Sequence, residues 1–187
     1  TDTDSSGSIE DVYSNYRWTV GQKQCGSYKN EGECWNREHT IPQSIFSESS
    51  PMVCDIHHVF PTDGKVNGMR SNYPHGYVKS ATYTSGNGSK LGSGNSAWGY
   101  SSTCFEPIDK YKGDFARTYF YFVTRYQNLM SSNTSWKSYD CFNYSSPLGL
   151  SSWAIKTFLE WNRIDPVSDK TVQQLSDSVG HQHDAEH

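Results

Sequence analysis

The chain has 187 residues, with 16 Lys and Arg against 20 Asp and Glu, for a formal net charge of −4. That balance argues against a broad basic face, and no apolar run is long enough for a transmembrane helix. Leu, Ile and Val are scarce beside 6 Trp, 13 Tyr and 8 Phe, so a core must be built on aromatic rings with polar tips that need partners.

The length suits one domain, 1–187, with 180–187 as a flexible tail. In chain order, residues 9–18 read as a short amphipathic helix leading into a Gly-, Asn- and Cys-rich loop. Segments 38–42 and 56–60 read as strands, Asp63-Gly64 as a turn, and 66–72 as the start of a helix. The Gly- and Ser-rich stretch 80–103 reads as hairpin and surface loop. Over 109–130, Phe115, Tyr119, Phe120, Val123, Tyr126, Leu129 and Met130 recur at helical spacing. Over 151–162, Trp153, Ala154, Phe158, Leu159 and Trp161 predict a second buried helix, halted at Asp165-Pro166. Ser168 could cap a last helix through 179. The aromatics read as core and not as a base-stacking platform, and the class is α+β.

None of the five cysteines forms a Cys-x-x-Cys pair, which argues against a zinc ribbon or a thioredoxin-like motif. Cys25 and Cys34 flank a short turn, where a disulfide would brace the segment that follows. Cys104 with Cys141 is a second candidate pairing. One thiol stays unpaired in the monomer whatever the connectivity. The chain opens without an initiator Met or an apolar leader, and reads as the mature end of a processed protein or a trimmed chain.

Three segments carry chemistry: Cys34-Trp35-Asn36-Arg37-Glu38-His39-Thr40-Ile41-Pro42, Asp55-Ile56-His57-His58-Val59-Phe60-Pro61, and Val66-Asn67-Gly68-Met69-Arg70-Ser71-Asn72. Glu38 and Asn67 offer hard oxygen ligands that suit a magnesium-like ion, and His39 can take a proton from water. Each has a plainer reading: Glu38 as a solvated carboxylate, His39 as a strand histidine on a carbonyl, Asn67 as a helix N-cap. Neighbours on an ideal strand point oppositely, so Glu38 and His39 share one site only if the strand end bends or the substrate straddles it. The same divergence, and the lack of a matching third ligand, count against zinc at His57 and His58.

In combination these segments resemble the endonuclease I family of secreted and periplasmic nucleases, in the ββα-metal (His-Me finger) group. Phe105-Glu106-Pro107, Lys112-Gly113-Asp114 and Ala116-Arg117-x-Tyr119 also match, so the resemblance covers about 13–167. It implies a ββα-metal core with a small sheet among helices and long loops. It also implies a largely sequence-nonspecific endonuclease that leaves 5′-phosphate and 3′-hydroxyl ends, on DNA and possibly on RNA. His39 would be the general base. Glu38 and Asn67 would hold one divalent ion, Mg2+ first, with Mn2+ or Ca2+ able to replace it. Arg70, one helical turn from Asn67, is the first choice for a phosphate clamp, with Arg37 and Arg117 in reserve. Asp55, His57 and His58 would support the site by hydrogen bonds, His58 standing where many relatives carry Asn. An Arg that some relatives place within 43–53 has no counterpart here.

The acidic balance then implies modest affinity, through sugar-phosphate contacts and local basic residues around the metal. The resemblance favours a secreted or periplasmic monomer with no membrane association. A competing class is a secreted glycan-binding module whose Glu38 and Asn67 hold a structural metal. The closing residues, Ser176 to His187, depart from the family's usual ending.

Overall fold

In the computed structural model, which describes residue 3 and residues 6–167, the first strands form a hairpin. Ser8–Glu10 (β1) and Arg17–Thr19 (β2) pair antiparallel, with Ile9 opposite Trp18. The helix expected over 9–18 is therefore corrected, and Asp11 supplies the reason. Its Oδ1 accepts the Tyr13 and Ser14 backbone N–H groups, and its Oδ2 accepts Trp18 Nε1–H. Such side-chain bonds to nearby backbone favour a turn over the helical ladder.

Trp35–His39 (β3) pairs antiparallel with Val59–Asp63 (β4), placing Glu38 opposite Phe60 and His39 opposite Val59. The first strand thus starts and stops earlier than 38–42, because Pro42 opens a 3-10 turn over Gln43–Phe46. The second starts later than expected. Asp55 caps a 3-10 turn over Ile56–His58 by accepting His57 N–H. Pro61 is tolerated because β4 has only one neighbouring strand. Gly64–Arg70 (α1) follows at once, with Asp63 as its N-cap, accepting Val66 N–H. The Asp63-Gly64 turn signal was therefore a helix start.

Val78–Thr84 (β5), Lys90–Gly94 (β6) and Thr103–Glu106 (β7) form an antiparallel sheet in that order, and the hairpin read within 80–103 is the pairing of β5 with β6. Gly92 permits the close approach: a Cβ there would lie 2.1 Å from Ser80 O. The long helix expected over 109–130 is two, Asp109–Arg125 (α2) and Gln127–Ser132 (α3). The break falls at Tyr126, whose hydroxyl donates to Asp55 Oδ2. Ser152–Ile164 (α4) packs on α2 through Tyr119 and Phe158, stacked at 4.2 Å between ring centres. Leu159 is 58% exposed, so the buried face of α4 is Ala154, Thr157, Phe158 and Trp161.

The result is a mixed α+β fold with small sheets and, among the described residues, four α-helices. No helix there is long and apolar enough to cross a membrane. Cys25 and Cys34 form a disulfide. Cys104 and Cys141 are both buried free thiols, which corrects the second pairing; Cys104 Sγ donates instead to Tyr77 O. The helix expected over 168–179 and the tail over 180–187 lie outside the described residues.

Candidate active site

On β3, Asn36 and Glu38 occupy one face by alternation, and Arg37 and His39 the other. Glu38 is only 1% exposed. Its Oε1 accepts Arg70 Nη1–H at 2.5 Å and Tyr13 O–H at 2.9 Å, while Oε2 receives no donor from the described residues. Burial pushes the carboxyl up to about 7, against the opposing pull of Arg70 and Tyr13.

Asn67 comes to the Glu38 side from α1. Its Nδ2 donates to Asn36 Oδ1 at 2.7 Å and to the Arg37 carbonyl at 3.3 Å. The two acceptors set the orientation of the amide and leave Oδ1 with no donor among the described residues. The N-cap reading fails, because Asp63 holds that position and Asn67 lies inside the helix. One carboxylate oxygen and one amide oxygen are hard donors, and so small a set leaves most of an octahedron to water, as magnesium prefers. Among the described residues, no three His, Cys, Asp or Glu side chains gather into a metal-binding group.

His39 points elsewhere, toward Val53, Phe46 and His58. Its Nε2 lies 3.1 Å from the Val53 carbonyl, which can only accept, so Nε2 carries the proton. Nδ1 is then a bare lone pair, and it is buried without a hydrogen-bond partner. Burial holds His39 below the ordinary imidazole range, opposed by the Val53 carbonyl. The neutral form is favoured, and Nδ1 makes no hydrogen bond within the described residues.

Comparison with known proteins bears on the whole chain. The family model described as Endonuclease I matches residues 1–184. This chain belongs to the endonuclease I family. It is 34% identical over 141 residues to an extracellular ribonuclease of Bacillus subtilis (strain 168), covering 73% of this chain and 43% of that protein. A second extracellular ribonuclease, from Bacillus amyloliquefaciens, is 31% identical over 153 residues, covering 80% of this chain and 48% of the relative. Endonuclease-1 of Buchnera aphidicola subsp. Acyrthosiphon pisum (strain APS) is 30% identical over 104 residues, 56% of this chain and 39% of that protein. The chain therefore spans less than half the length of these curated relatives.

The other residues suggested by resemblance to the endonuclease I family are placed unevenly. Arg70 is 1% exposed, and its donors serve Glu38 and the carbonyls of His39, Thr40 and Tyr73. A guanidinium so enclosed braces the strand end and has no free face for a phosphate. Arg117 is engaged with Asp114, Asn162 and the Asp165 carbonyl, binding α2 to α4. Arg37 is exposed and lies on the His39 face. Asp55 accepts from Tyr121 and Tyr126, and His57 packs against Tyr121. His58 is fully buried with Nε2 on the Met52 carbonyl, and burial lowers its pKa to about 4.

Sequence reasoning missed Asn36, the Val53 carbonyl, Tyr13 and His75. Asn36 was open to discovery, since it lies two positions from Glu38 on the same strand face. Tyr13 and His75 were not. They stand 25 positions from Glu38 and 62 from Tyr13, respectively, and no periodicity joins them.

Proposed function

We propose that this chain is a divalent-metal-dependent endonuclease that hydrolyses phosphodiester bonds of nucleic acid with little sequence preference. The observation that carries this reading is a set of three atoms along β3 and α1 that are uncommitted among the described residues. They are Glu38 Oε2, Asn67 Oδ1 and His39 Nδ1, and in each case the sister atom is held by protein. Glu38 and Asn67 would hold one ion, Mg2+ first, with Mn2+ or Ca2+ able to replace it. When bound, the ion offsets negative charge developing at the phosphate.

His39 Nδ1 takes the proton of the attacking water, while Val53 keeps the ring in the right tautomer. Arg37 meets the phosphate from the His39 face, and the scissile group straddles the strand end between the two faces. The antiparallel pairing of β3 with β4, with α1 following at once, supports reading this segment as a ββα-metal core. Backbone contacts carry little sequence information, so cutting is largely nonspecific, with 5′-phosphate and 3′-hydroxyl ends. DNA is the first substrate. RNA is favoured by the names of the two Bacillus relatives, both extracellular ribonucleases. Those names and the disulfide support an exported enzyme.

The test is cutting of supercoiled plasmid and of labelled RNA in magnesium. EDTA should abolish both, and His39→Ala should lower the rate by about 10²-fold or more with the fold intact. Wild-type cutting by His39→Ala would refute the assignment.

A further inference from the structure

The hydrogen bonds around Glu38 continue beyond Tyr13 and close into a ring of six side chains. Arg70 Nη2 lies 3.4 Å from Tyr139 OH, which lies 2.7 Å from Tyr119 OH. Tyr119 OH lies 2.9 Å from His75 Nδ1, and His75 Nε2 lies 2.7 Å from Tyr13 OH. Tyr13 OH reaches Glu38 Oε1, which returns to Arg70. None of the six residues is more than 3% exposed.

Proton counting gives this ring one direction. Arg70 has five N–H groups, and all five are directed at acceptors: Tyr73 O, Glu38 Oε1, His39 O, Thr40 O and Tyr139 OH. Tyr139 therefore accepts from Arg70 and donates its own proton to Tyr119. Tyr119 donates to His75 Nδ1, so the imidazole carries its proton on Nε2 and gives that bond to Tyr13. Tyr13 then donates to Glu38. The reverse order fails at both ends: Tyr139 O–H would meet Arg70 N–H, and a Tyr13 lone pair would face the carboxylate. Burial, together with the nearby Arg70 charge, keeps His75 neutral, as the chain of donors requires.

We propose that Tyr13, His75, Tyr119 and Tyr139 are positioning residues for the metal-binding carboxylate. They form a one-way chain of donors, begun by Arg70 and ending on Glu38 Oε1, that saturates this oxygen and leaves Oε2 for a divalent cation. The inference rests on reading Glu38 as a metal ligand. Such outer hydrogen bonds orient ligands, and losing them typically weakens metal binding about 10–100-fold.

Two measurements test it. In 15N-labelled wild-type protein at neutral pH, His75 should appear as the neutral Nε2–H tautomer; an Nδ1–H tautomer or a doubly protonated ring would overturn the proposal. This is read on the unsubstituted protein, so it stands even where a variant fails to fold. The second measurement is Mn2+ affinity by electron paramagnetic resonance for wild type, Tyr13→Phe and Glu38→Gln. Tyr13→Phe should bind about tenfold more weakly or worse, and Glu38→Gln should lose binding. If Glu38→Gln loses Mn2+ while Tyr13→Phe matches wild type, the positioning role is wrong and the metal reading survives. If Glu38→Gln binds like wild type, both fall.

Discussion

Arg70 Nη1 and Glu38 Oε1 meet at 2.5 Å where neither side chain is more than 2% exposed. This pair joins α1 to the end of β3, and it turns the most obvious candidate for a phosphate clamp into part of the frame. Removing one member of a buried pair strands the other charge, at a cost of about 3–5 kcal/mol. Arg70→Ala should lose stability on that scale in urea unfolding, and Arg70→Lys should fall between it and wild type because Lys cannot reproduce the five-donor fork. A stability loss below about 1 kcal/mol for Arg70→Ala would show that the pair is not holding the strand end.

With His39 as the proposed general base, the pH dependence of cutting follows from its titration. A general base works when unprotonated, so the rate rises with pH through its pKa and then levels. Burial depresses that pKa, and the Arg37 charge acts in the same direction. With metal saturating, the acid limb of kcat/KM should therefore lie below the ordinary imidazole midpoint of about 6.5. An acid limb above that midpoint would point to a different base.

Arg37 and Arg117 should separate cleanly. Arg37→Ala removes an exposed cation on the His39 face. It should change stability by no more than about 0.5 kcal/mol, raise KM, and reduce the salt slope of substrate binding by about one. Arg117→Ala breaks contacts to Asp114, Asn162 and Asp165, so it should lower the unfolding midpoint and leave the salt slope alone. The reverse pattern would exchange their roles.

His58 predicts an acid liability. Its folded pKa is lowered to about 4, whereas the unfolded chain titrates near the ordinary value of 6.5. Between those values the unfolded chain binds more protons, so this residue costs stability as pH falls and nothing above that window. His58→Asn removes the titration. The stability of wild type relative to His58→Asn should drop by about 3 kcal/mol between pH 6.5 and pH 4. A difference that stays constant with pH would mean that His58 is not neutral in the fold.

The sequence by itself determined whatever depends on near neighbours. The adjacent Glu38 and His39 had to diverge on a strand, and Asn67 and Arg70 had to share a helical turn. Cys25 and Cys34, close in the chain, formed the disulfide that their spacing allowed. The aromatic periodicity of α2 and α4 marked two helices, though not the break at Tyr126, whose hydroxyl bonds to Asp55 in a distant turn. The segment 9–18 misled because one side chain, Asp11, outweighed an amphipathic pattern. Only the tertiary structure decided which atoms remain free. Hydrogen-bond saturation and desolvation depend on partners far along the chain, such as Tyr13 and His75 near Glu38, or Val53 beneath His39. A motif can name a carboxylate, an amide and an imidazole. Their packing decides that Oε2, Oδ1 and Nδ1 have no hydrogen-bond partner among the described residues, and that Arg70 is enclosed by carbonyls and Glu38.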